Sequence, residues 1–440
     1  MRMMNGLRIF RAVTLCVATS ACADVGASAT GTSTIDRTDP AHDILATVTP
    51  NPSVFAGNMQ QHATVSACEQ GDETVELWRR AVGEGDPILP MSVKTDGSRN
   101  VYVTRAIGET RKLDASGNTV WTRPFGSLVD IAGDASIFVA GTFEGSLRVG
   151  PSQNLAAAGG KDVFVAKLDE DGNVLFAVAL GGTGDEDVSS VAAASDGVIV
   201  SGTGIGTVKL DGEDGHTDWT RPLVGAVAVN EGDEVLFTGA LVGTATYDKV
   251  LTSAGGRDVL VVKLSPSGDY LWSRSYGDAG PSQLGQSIAV DPSGAVLIGG
   301  VVDGSVDFGG GPITVPPGTC PTESPCDAAG FVSKLDTDGN FVFSRAIVPA
   351  LEVSGIASDA AGNVYAAGSY PGDAAPYRTT LLVGFDAEGS KRALPSYDSV
   401  PGAGHAIAAD SCGNVVFAFA IAGASPDELG RAYVAKLLVH

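Results

Sequence analysis

All four tryptophans of this 440-residue chain occupy one position of a recurring phrase. The phrase places an aromatic residue after a tight turn and two residues before an arginine, as in LDASGNTVWTR and LSPSGDYLWSR. The slot is filled by Trp78, Trp121, Trp219 and Trp272, and in two further copies by Phe176 and Phe343. A repeated unit of short alternating strands predicts a β-propeller, because each unit buries its apolar face against the next.

The number of repeats predicts the number of blades. Inner strands are predicted to start near Met91, Val129, Ser190, Ala226, Ser287, Gly355 and Ala406. An alanine follows Val or Ile on six of these strands, which suits the crowded strand beside the axis; the residues are Ala132, Ala192, Ala228, Ala289, Ala357 and Ala408. We therefore predict an all-β, seven-bladed β-propeller of four-stranded antiparallel blades over residues 68–440.

The two ends of the repeat region complement each other. The last copy, at 431–440, has a third strand but no tryptophan-bearing strand after it. The first copy, at 74–83, is a tryptophan-bearing strand with nothing before it. We predict that the strand of Trp78 is the outer strand of blade seven, which closes the ring and removes its exposed edge.

The N-terminal residues have the pattern of an export signal. Arginines and a short apolar run precede TSAC, so residues 1–21 are predicted to be a signal peptide. The end of this segment resembles the lipobox of bacterial lipoproteins, which implies lipidation of Cys22. Ordinary cleavage around Cys22 is the alternative. Residues 22–67 are rich in Ala, Ser and Thr and are predicted to be a disordered tether.

The net charge and the predicted export signal limit the classes of binding partner that we expect. The net charge of −23 repels phosphate backbones, so we expect no nucleic-acid binding. The signal predicts a place in the bacterial cell envelope, as an outer-membrane lipoprotein or a secreted protein. Contact with a membrane is expected only through the lipid anchor, and we expect a monomer.

Four cysteines remain outside the signal and lipidation site. Cys68 precedes the closing strand and Cys412 lies in a turn of blade seven, so the predicted closure brings them together as a disulfide. Cys320 and Cys326 bracket one loop and are predicted to form a second disulfide. Zinc binding is the alternative for this second pair.

The longest insertions follow the second strand of a blade and predict a binding face. They span 142–162, 241–258, 301–329, 369–379 and 421–430. Aromatic residues in them could stack on a ligand, namely Phe308, Tyr247, Tyr370 and Tyr377. Lys94 replaces the inner-strand alanine, so it either projects toward the channel or snorkels at the surface. His405 lies near an inner strand, with a structural role as the alternative to binding.

The sequence offers no catalytic constellation. The five histidines are scattered, and neither a phosphate-binding glycine loop nor a nucleophile elbow is present. We therefore expect no cofactor, no metal and no catalytic residue. Arginines two positions after the aromatic residue are predicted to pack or pair between blades, and these are Arg80, Arg123, Arg221, Arg274 and Arg345.

The copy DVFVAKLDEDGNVLFAVALGG, beginning at Asp162, resembles the SBBP class of β-propeller repeats, and RDVLVVKLSPSGDYLW at 257–272 is similar to it. The resemblance implies the propeller fold and an exported or surface-exposed protein, and it implies no catalytic residue. Our first hypothesis is a non-catalytic envelope or cell-surface scaffold that binds protein or glycan through the long-loop face. The alternatives are a quinoprotein-like or lyase-like propeller enzyme, or a structural outer-membrane assembly lipoprotein.

Overall fold

A computed structural model describes the chain over 75–84, 90–151, 153–280, 282–314, 328–348, 352–371, 378–395, 397, 402–421 and 431–439. These residues belong to one compact unit, Val65–His440. Their strands form seven four-stranded antiparallel sheets and two small hairpins. Within the described residues, no helix has the length and hydropathy that crossing a bilayer requires.

Strand β1 (Val75–Glu84) comes first in the chain but belongs to the last blade. Blade one contains β2 (Pro90–Thr95), β3 (Val101–Arg105), β4 (Glu109–Leu113) and β5 (Thr119–Arg123). Blade two contains β6 (Leu128–Ile131), β7 (Ile137–Arg148), β8 (Asn154–Leu168) and β9 (Val174–Leu180). Blade three contains β10 (Asp187–Ala193), β11 (Gly197–Thr203), β12 (Gly206–Asp211) and β13 (Thr217–Arg221).

Blades four and five each carry one of the two small hairpins as an insertion after the second strand. Blade four contains β14 (Ala226–Val229), β15 (Val235–Leu241), the hairpin β16 (Thr244–Thr246) and β17 (Val250–Thr252), then β18 (Asp258–Leu264) and β19 (Tyr270–Tyr276). Blade five contains β20 (Ser282–Val290), β21 (Val296–Asp303), the hairpin β22 (Ser305–Val306) and β23 (Ile313–Thr314), then β24 (Ala328–Leu335) and β25 (Phe341–Ile347). Blade six contains β26 (Glu352–Ser358), β27 (Val364–Pro371), β28 (Arg378–Phe385) and β29 (Lys391–Arg392). Blade seven adds β30 (Gly402–Ala409), β31 (Val415–Ile421) and β32 (Arg431–Leu438).

Blade seven closes the ring as the sequence predicts. Its sheet order is β30, β31, β32 and β1, so strands from opposite parts of the chain complete one blade. Strand β1 pairs antiparallel with β32, from Val75 opposite Leu438 to Glu84 opposite Arg431. The seven-bladed fold and its closing strand are thereby confirmed.

In the four blades that carry it, the repeated tryptophan connects the blade to the next one. Trp121 Nε1 donates a 3.0 Å hydrogen bond to the carbonyl of Glu170 in the outer turn of the following blade. Arg123 lies over the Trp121 ring at 5.1 Å, and its Nε donates to Gly172 O at 2.6 Å. The same bond is made by Trp78 to Ala115, Trp219 to Pro266 and Trp272 to Thr337. We call this arrangement of aromatic, arginine and turn the inter-blade clasp.

The turn glycine is part of the clasp. Gly172 has a φ of 76°, and a Cβ on it would lie 2.9 Å from the Trp121 ring. Gly215 shows the same close approach to Phe176, whose blade has the aromatic residue without the arginine. The predicted structural role of the five arginines between blades is confirmed by their carbonyl contacts across the junctions.

Within the described residues, the junction from blade six to blade seven has neither the aromatic residue nor the arginine of the clasp, for a topological reason. The outer strand of blade six, β29, has only two residues, and no turn joins β32 to β1 for an aromatic side chain to grip. Tyr397 occupies this junction instead. It is buried, packs on Phe417 and Phe419 with ring centroids 5.4 Å away, and donates a 2.7 Å hydrogen bond to Glu76 Oε2.

The inner-strand alanine alignment is wrong in blade two. Asp130 pairs with Phe138 as Lys94 pairs with Tyr102 and Ala289 with Leu297. Ala132 therefore lies two residues further on, in the turn, at the place that Asp291 holds in blade five. Two neighbouring blades, one and two, consequently carry charged residues where the other five carry alanine.

Candidate functional site

The candidate site is the mouth of the axial channel, where five inner strands carry a β-bulge. Register shifts leave one residue of each strand outside the regular pairing. These five residues, which we call the bulge ring, are Met91, Ser189, Gln286, Ser354 and His405. All five line one axial cavity of about 160 Å³, to which all seven inner strands contribute. Bulges commonly redirect side chains at binding sites.

Hydrogen bonds between inner strands hold the wall behind the ring. Ser92 Oγ donates to Val129 O at 3.1 Å, and Ser287 Oγ donates to Val353 O at 3.2 Å. Ser354, a member of the ring, donates to Gly404 O at 2.9 Å. The backbone of the site is therefore fixed by contacts that cross from blade to blade, as a preformed pocket requires.

Lys94 is one of the residues that line the axial cavity. Its Nζ is 3.1 Å from Asp130 Oδ1, and Asp130 Oδ2 accepts a 2.9 Å hydrogen bond from Ala193 N. The pair thus connects blades one, two and three. Because 41% of the Lys94 side chain is exposed, we expect the pair to contribute less than about 1 kcal/mol to stability.

The long insertions start on the same face as the bulge ring. In blade five, the first residue of the inner strand, Ser282, pairs with Asp303 at the end of β21, directly before the β22–β23 hairpin. Gln286 follows four residues after Ser282 on the same strand. In blade two, β7 and β8 extend beyond the sheet as a hairpin that ends with Arg148 opposite Asn154. The insertions therefore start on the face of the channel mouth, and their tips lie along the outer strands, where Gln153 Nε2 donates to Ala177 O and Tyr247 contacts Tyr270.

The insertion aromatics pack inward, contrary to their expected role as exposed platforms. Phe308 is 2% exposed and packs on Tyr276 and Phe331, so its predicted place on the binding face is wrong. Tyr247 meets Tyr270 edge-on at 5.6 Å, and burial raises the pKa of Tyr247. Tyr370 is half-buried against the core of blade six. A short hairpin has no core of its own, so its aromatic side chain is buried against the blade below.

What the blade-four insertion does expose is aliphatic. Val242, two residues before β16, is 66% exposed, and Val250, the first residue of β17, is 62% exposed. Val242 lies at the end of the blade that carries the channel mouth, whereas the tip of the hairpin lies along the outer strand β19, with Tyr247 against Tyr270 and Ser273 Oγ donating to Asp248. An exposed aliphatic side chain at Val242, on the face of a polar cavity, suits contact with a protein surface, because the cores of interfaces combine apolar and polar groups.

A separate His–Asp cluster lies in the outer turn of blade three. Ligand atoms of Asp211, His216 and Asp218 lie within 4.8 Å of one another, and no metal was expected there. His216 Nδ1 is 2.7 Å from Asp214 Oδ1, and this hydrogen bond raises the pKa of His216. The imidazole is exposed and already has carboxylate partners, which is ordinary turn chemistry.

Several predicted residues lie outside the described part of the chain. These are Cys22, Cys68, Cys320, Cys326 and Tyr377, together with the signal peptide 1–21 and the tether 22–67. Cys412 is described and is disulfide-bonded. The other cysteines all fall outside the described residues, so its pairing with Cys68 stays a prediction.

Comparison with known proteins supports the fold. The WD40 repeats of RRP9 match with a TM-score of 0.50 and 11% identity, over 83% of this chain and 100% of that one. BamB from Moraxella catarrhalis matches with a TM-score of 0.42 and 11% identity, over 82% of this chain and 99% of that one. No protein-family model and no curated protein matches the chain. The SBBP resemblance therefore stays a prediction, and the similarity to RRP9 shows the propeller fold alone.

Proposed function

We propose that this chain is a non-catalytic scaffold that binds a protein partner through the face carrying the bulge ring and the insertions. The bulge ring is the observation that carries the proposal. Five strands redirect five side chains into one cavity, and four of these side chains can form hydrogen bonds. On the same face, directly after β15, Val242 exposes an aliphatic side chain.

Charge and packing favour a protein partner over a glycan. Aromatic platforms are the side chains on which sugar rings stack, and the insertion aromatics Phe308, Tyr247 and Tyr370 are packed inward. The chain carries a net charge of −23, so a basic or neutral protein surface approaches it most favourably.

Site-specific photo-crosslinking tests this proposal. A photoreactive residue at Val242 is expected to capture a partner in the native cell. The same residue at Glu231, exposed in the turn on the opposite face, is the matched control. Loss of the Val242 product in a Gln286→Ala, Ser189→Ala variant would support binding at the mouth. Equal capture at both positions would refute it, and a captured glycan would overturn the choice of partner.

We also propose that the chain is exported and carries a lipid on Cys22, and that its repeats belong to the SBBP class. The N-terminal sequence pattern supports the first proposal and the repeat copies support the second. Mass spectrometry of the mature N-terminus tests the anchor: a diacylglyceryl-modified Cys22 is expected, and an unmodified N-terminus after Ala23 would contradict it.

For the cysteines we propose the pairs Cys68–Cys412 and Cys320–Cys326. The closure of blade seven by β1 supports the first pair, because Cys68 precedes β1 and Cys412 lies in the β30–β31 turn. Peptide mapping without reduction tests both pairs. A peptide linking Cys412 to any cysteine other than Cys68 would contradict the assignment.

A further inference from the structure

Two carboxylates converge where blade two connects to blade three. Asp162, on β8, is 1% exposed, and Glu186, directly before β10, is 7% exposed. A Cβ on Gly181 would lie 2.8 Å from Asp162 Oδ1 and 2.6 Å from Glu186 Oε2. The two oxygens are therefore at most about 5.4 Å apart. Only a glycine leaves room for both.

The hydrogen bonds of this pair leave one oxygen unsatisfied. Asp162 Oδ2 accepts from Ala158 N at 2.9 Å, and Glu186 Oε2 accepts from Gly182 N at 3.0 Å. Asp162 Oδ1 is fully buried and has no hydrogen-bond partner. Across the described residues, no lysine, arginine or histidine forms an ion pair with either carboxylate.

Buried like charges without a cation are unfavourable, because neither desolvation nor mutual repulsion is offset. Calcium offsets both, since it takes carboxylate and backbone carbonyl oxygens at about 2.3–2.6 Å in flexible geometry. Glu186 Oε1 is flanked by Gly184 and Gly204. Those glycines present no side chain to this oxygen.

We propose that Asp162 and Glu186 bind a calcium ion between blades two and three. Asp162 Oδ1 supplies the buried ligand and Glu186 the second carboxylate, with the Gly-rich connection at 181–184 beside them. The connection lies between the end of β9 and the start of the bulged strand β10. A bound ion would therefore fix the strand that carries Ser189 of the bulge ring.

The junction between blades four and five provides an internal comparison. Asp258 repeats the geometry of Asp162: it is 3% exposed, its Oδ2 accepts from Ala254 N at 2.9 Å, and its Oδ1 is buried and unpartnered. At this second junction Gln283 takes the position of Glu186. The backbone N–H of Glu186 donates a 2.7 Å hydrogen bond to Lys161 O, and the backbone N–H of Gln283 donates a 2.7 Å bond to Arg257 O, the equivalent carbonyl. This second junction has lost one carboxylate, so it should hold a divalent cation much more weakly.

Calorimetric titration of the chelator-treated chain with calcium chloride tests the proposal. One calcium per chain is expected, with a rise in Tm that magnesium chloride at the same concentration does not match. Glu186→Gln should weaken calcium binding by roughly tenfold or more, because it removes a charged ligand. Asp258→Asn is the matched control and should bind calcium as the unmodified chain does.

Three results would overturn the proposal. These are no heat and no Tm shift with calcium, unchanged affinity in Glu186→Gln, or loss of binding in Asp258→Asn with Glu186→Gln unaffected. Asp162→Asn, with folding checked by circular dichroism, provides the second variant. If it folds, it should also lose the calcium-dependent Tm shift, and retention of that shift would show that a buried water satisfies Asp162.

Discussion

The outer rim and the channel mouth use the repeat in opposite ways. At the rim, the aromatic slot is filled by tryptophan four times and phenylalanine twice, and every tryptophan bonds to the next blade's turn. At the mouth, five equivalent bulges carry methionine, two serines, glutamine and histidine. Sameness at the rim follows from one structural task repeated around the ring. The residue types at the mouth differ although the five backbone bulges are equivalent. This indicates that no shared structural role fixes these side chains and that they are available for ligand binding.

The largest expected effect comes from removing a clasp. Trp121→Ala should lower the free energy of unfolding by about 3–5 kcal/mol, as for other buried aromatics, because burial, the Glu170 bond and the Arg123 contact are all lost. Urea denaturation measures it. Trp121→Phe is the control and should lose far less, since Phe176 and Phe343 serve in the same slot. A loss below about 1 kcal/mol in Trp121→Ala would show that the clasp is not structural.

The buried pair of Asp291 and Lys334, 2.7 Å apart, predicts a pH-dependent effect. Burial alone would raise the pKa of Asp291, but hydrogen bonds from Lys334 and Ser293 outweigh it, and the net pKa is lowered from 3.8. The pair's stabilisation is therefore fully present above pH 3.8 and is lost as the pH falls through the lowered folded-state pKa. Asp291→Asn should cost about 3–5 kcal/mol at pH 7 and progressively less in acid. A cost that does not change with pH would contradict this reasoning.

A clasp glycine should matter more than a surface glycine. Gly172→Ala forces an L side chain onto a φ of 76° and into the Trp121 ring, so about 2 kcal/mol of stability should be lost. Gly97→Ala is the control, because a Cβ there meets nothing within 4 Å. Equal thermal unfolding midpoints for the two variants would contradict the proposal that the close contact between Gly172 and Trp121 stabilises the blade junction.

The junction without a clasp should show the smallest effect. Tyr397→Phe removes one hydrogen bond to Glu76 and keeps the ring packing, so a loss of about 1 kcal/mol is expected. Glu76 keeps its 2.7 Å contact with Arg79, which limits the cost. Urea denaturation measures the loss. A loss of stability as large as that of Trp121→Ala would mean that this junction depends on the Tyr397–Glu76 hydrogen bond and not on the packing of Tyr397 against Phe417 and Phe419.

How far the sequence predicted the structure differs between the same two regions. Blade number, strand order and closure followed from the position of the tryptophans, because one residue type marked one strand. Ala132 was misplaced because blade two has alanine where blade five has the turn residue Asp291, so the local pattern shifted by two. Bulges depend on pairing with the neighbouring strand, which no single strand reveals, and the bulge ring was therefore missed apart from His405. Phe308 stands among glycines, and its burial depends on Tyr276 and Phe331, which lie elsewhere in the chain.

The most direct test of the account measures stability and binding on one variant. Met91→Ala, Ser189→Ala and Gln286→Ala together remove three members of the bulge ring and leave every clasp intact. We predict a change in the free energy of unfolding below about 1.5 kcal/mol, since Met91 and Ser189 are exposed, together with loss of the photo-crosslinked product at Val242. Unchanged crosslinking, or a stability loss as large as that of Trp121→Ala, would show that the mouth is another structural repeat and not a binding site.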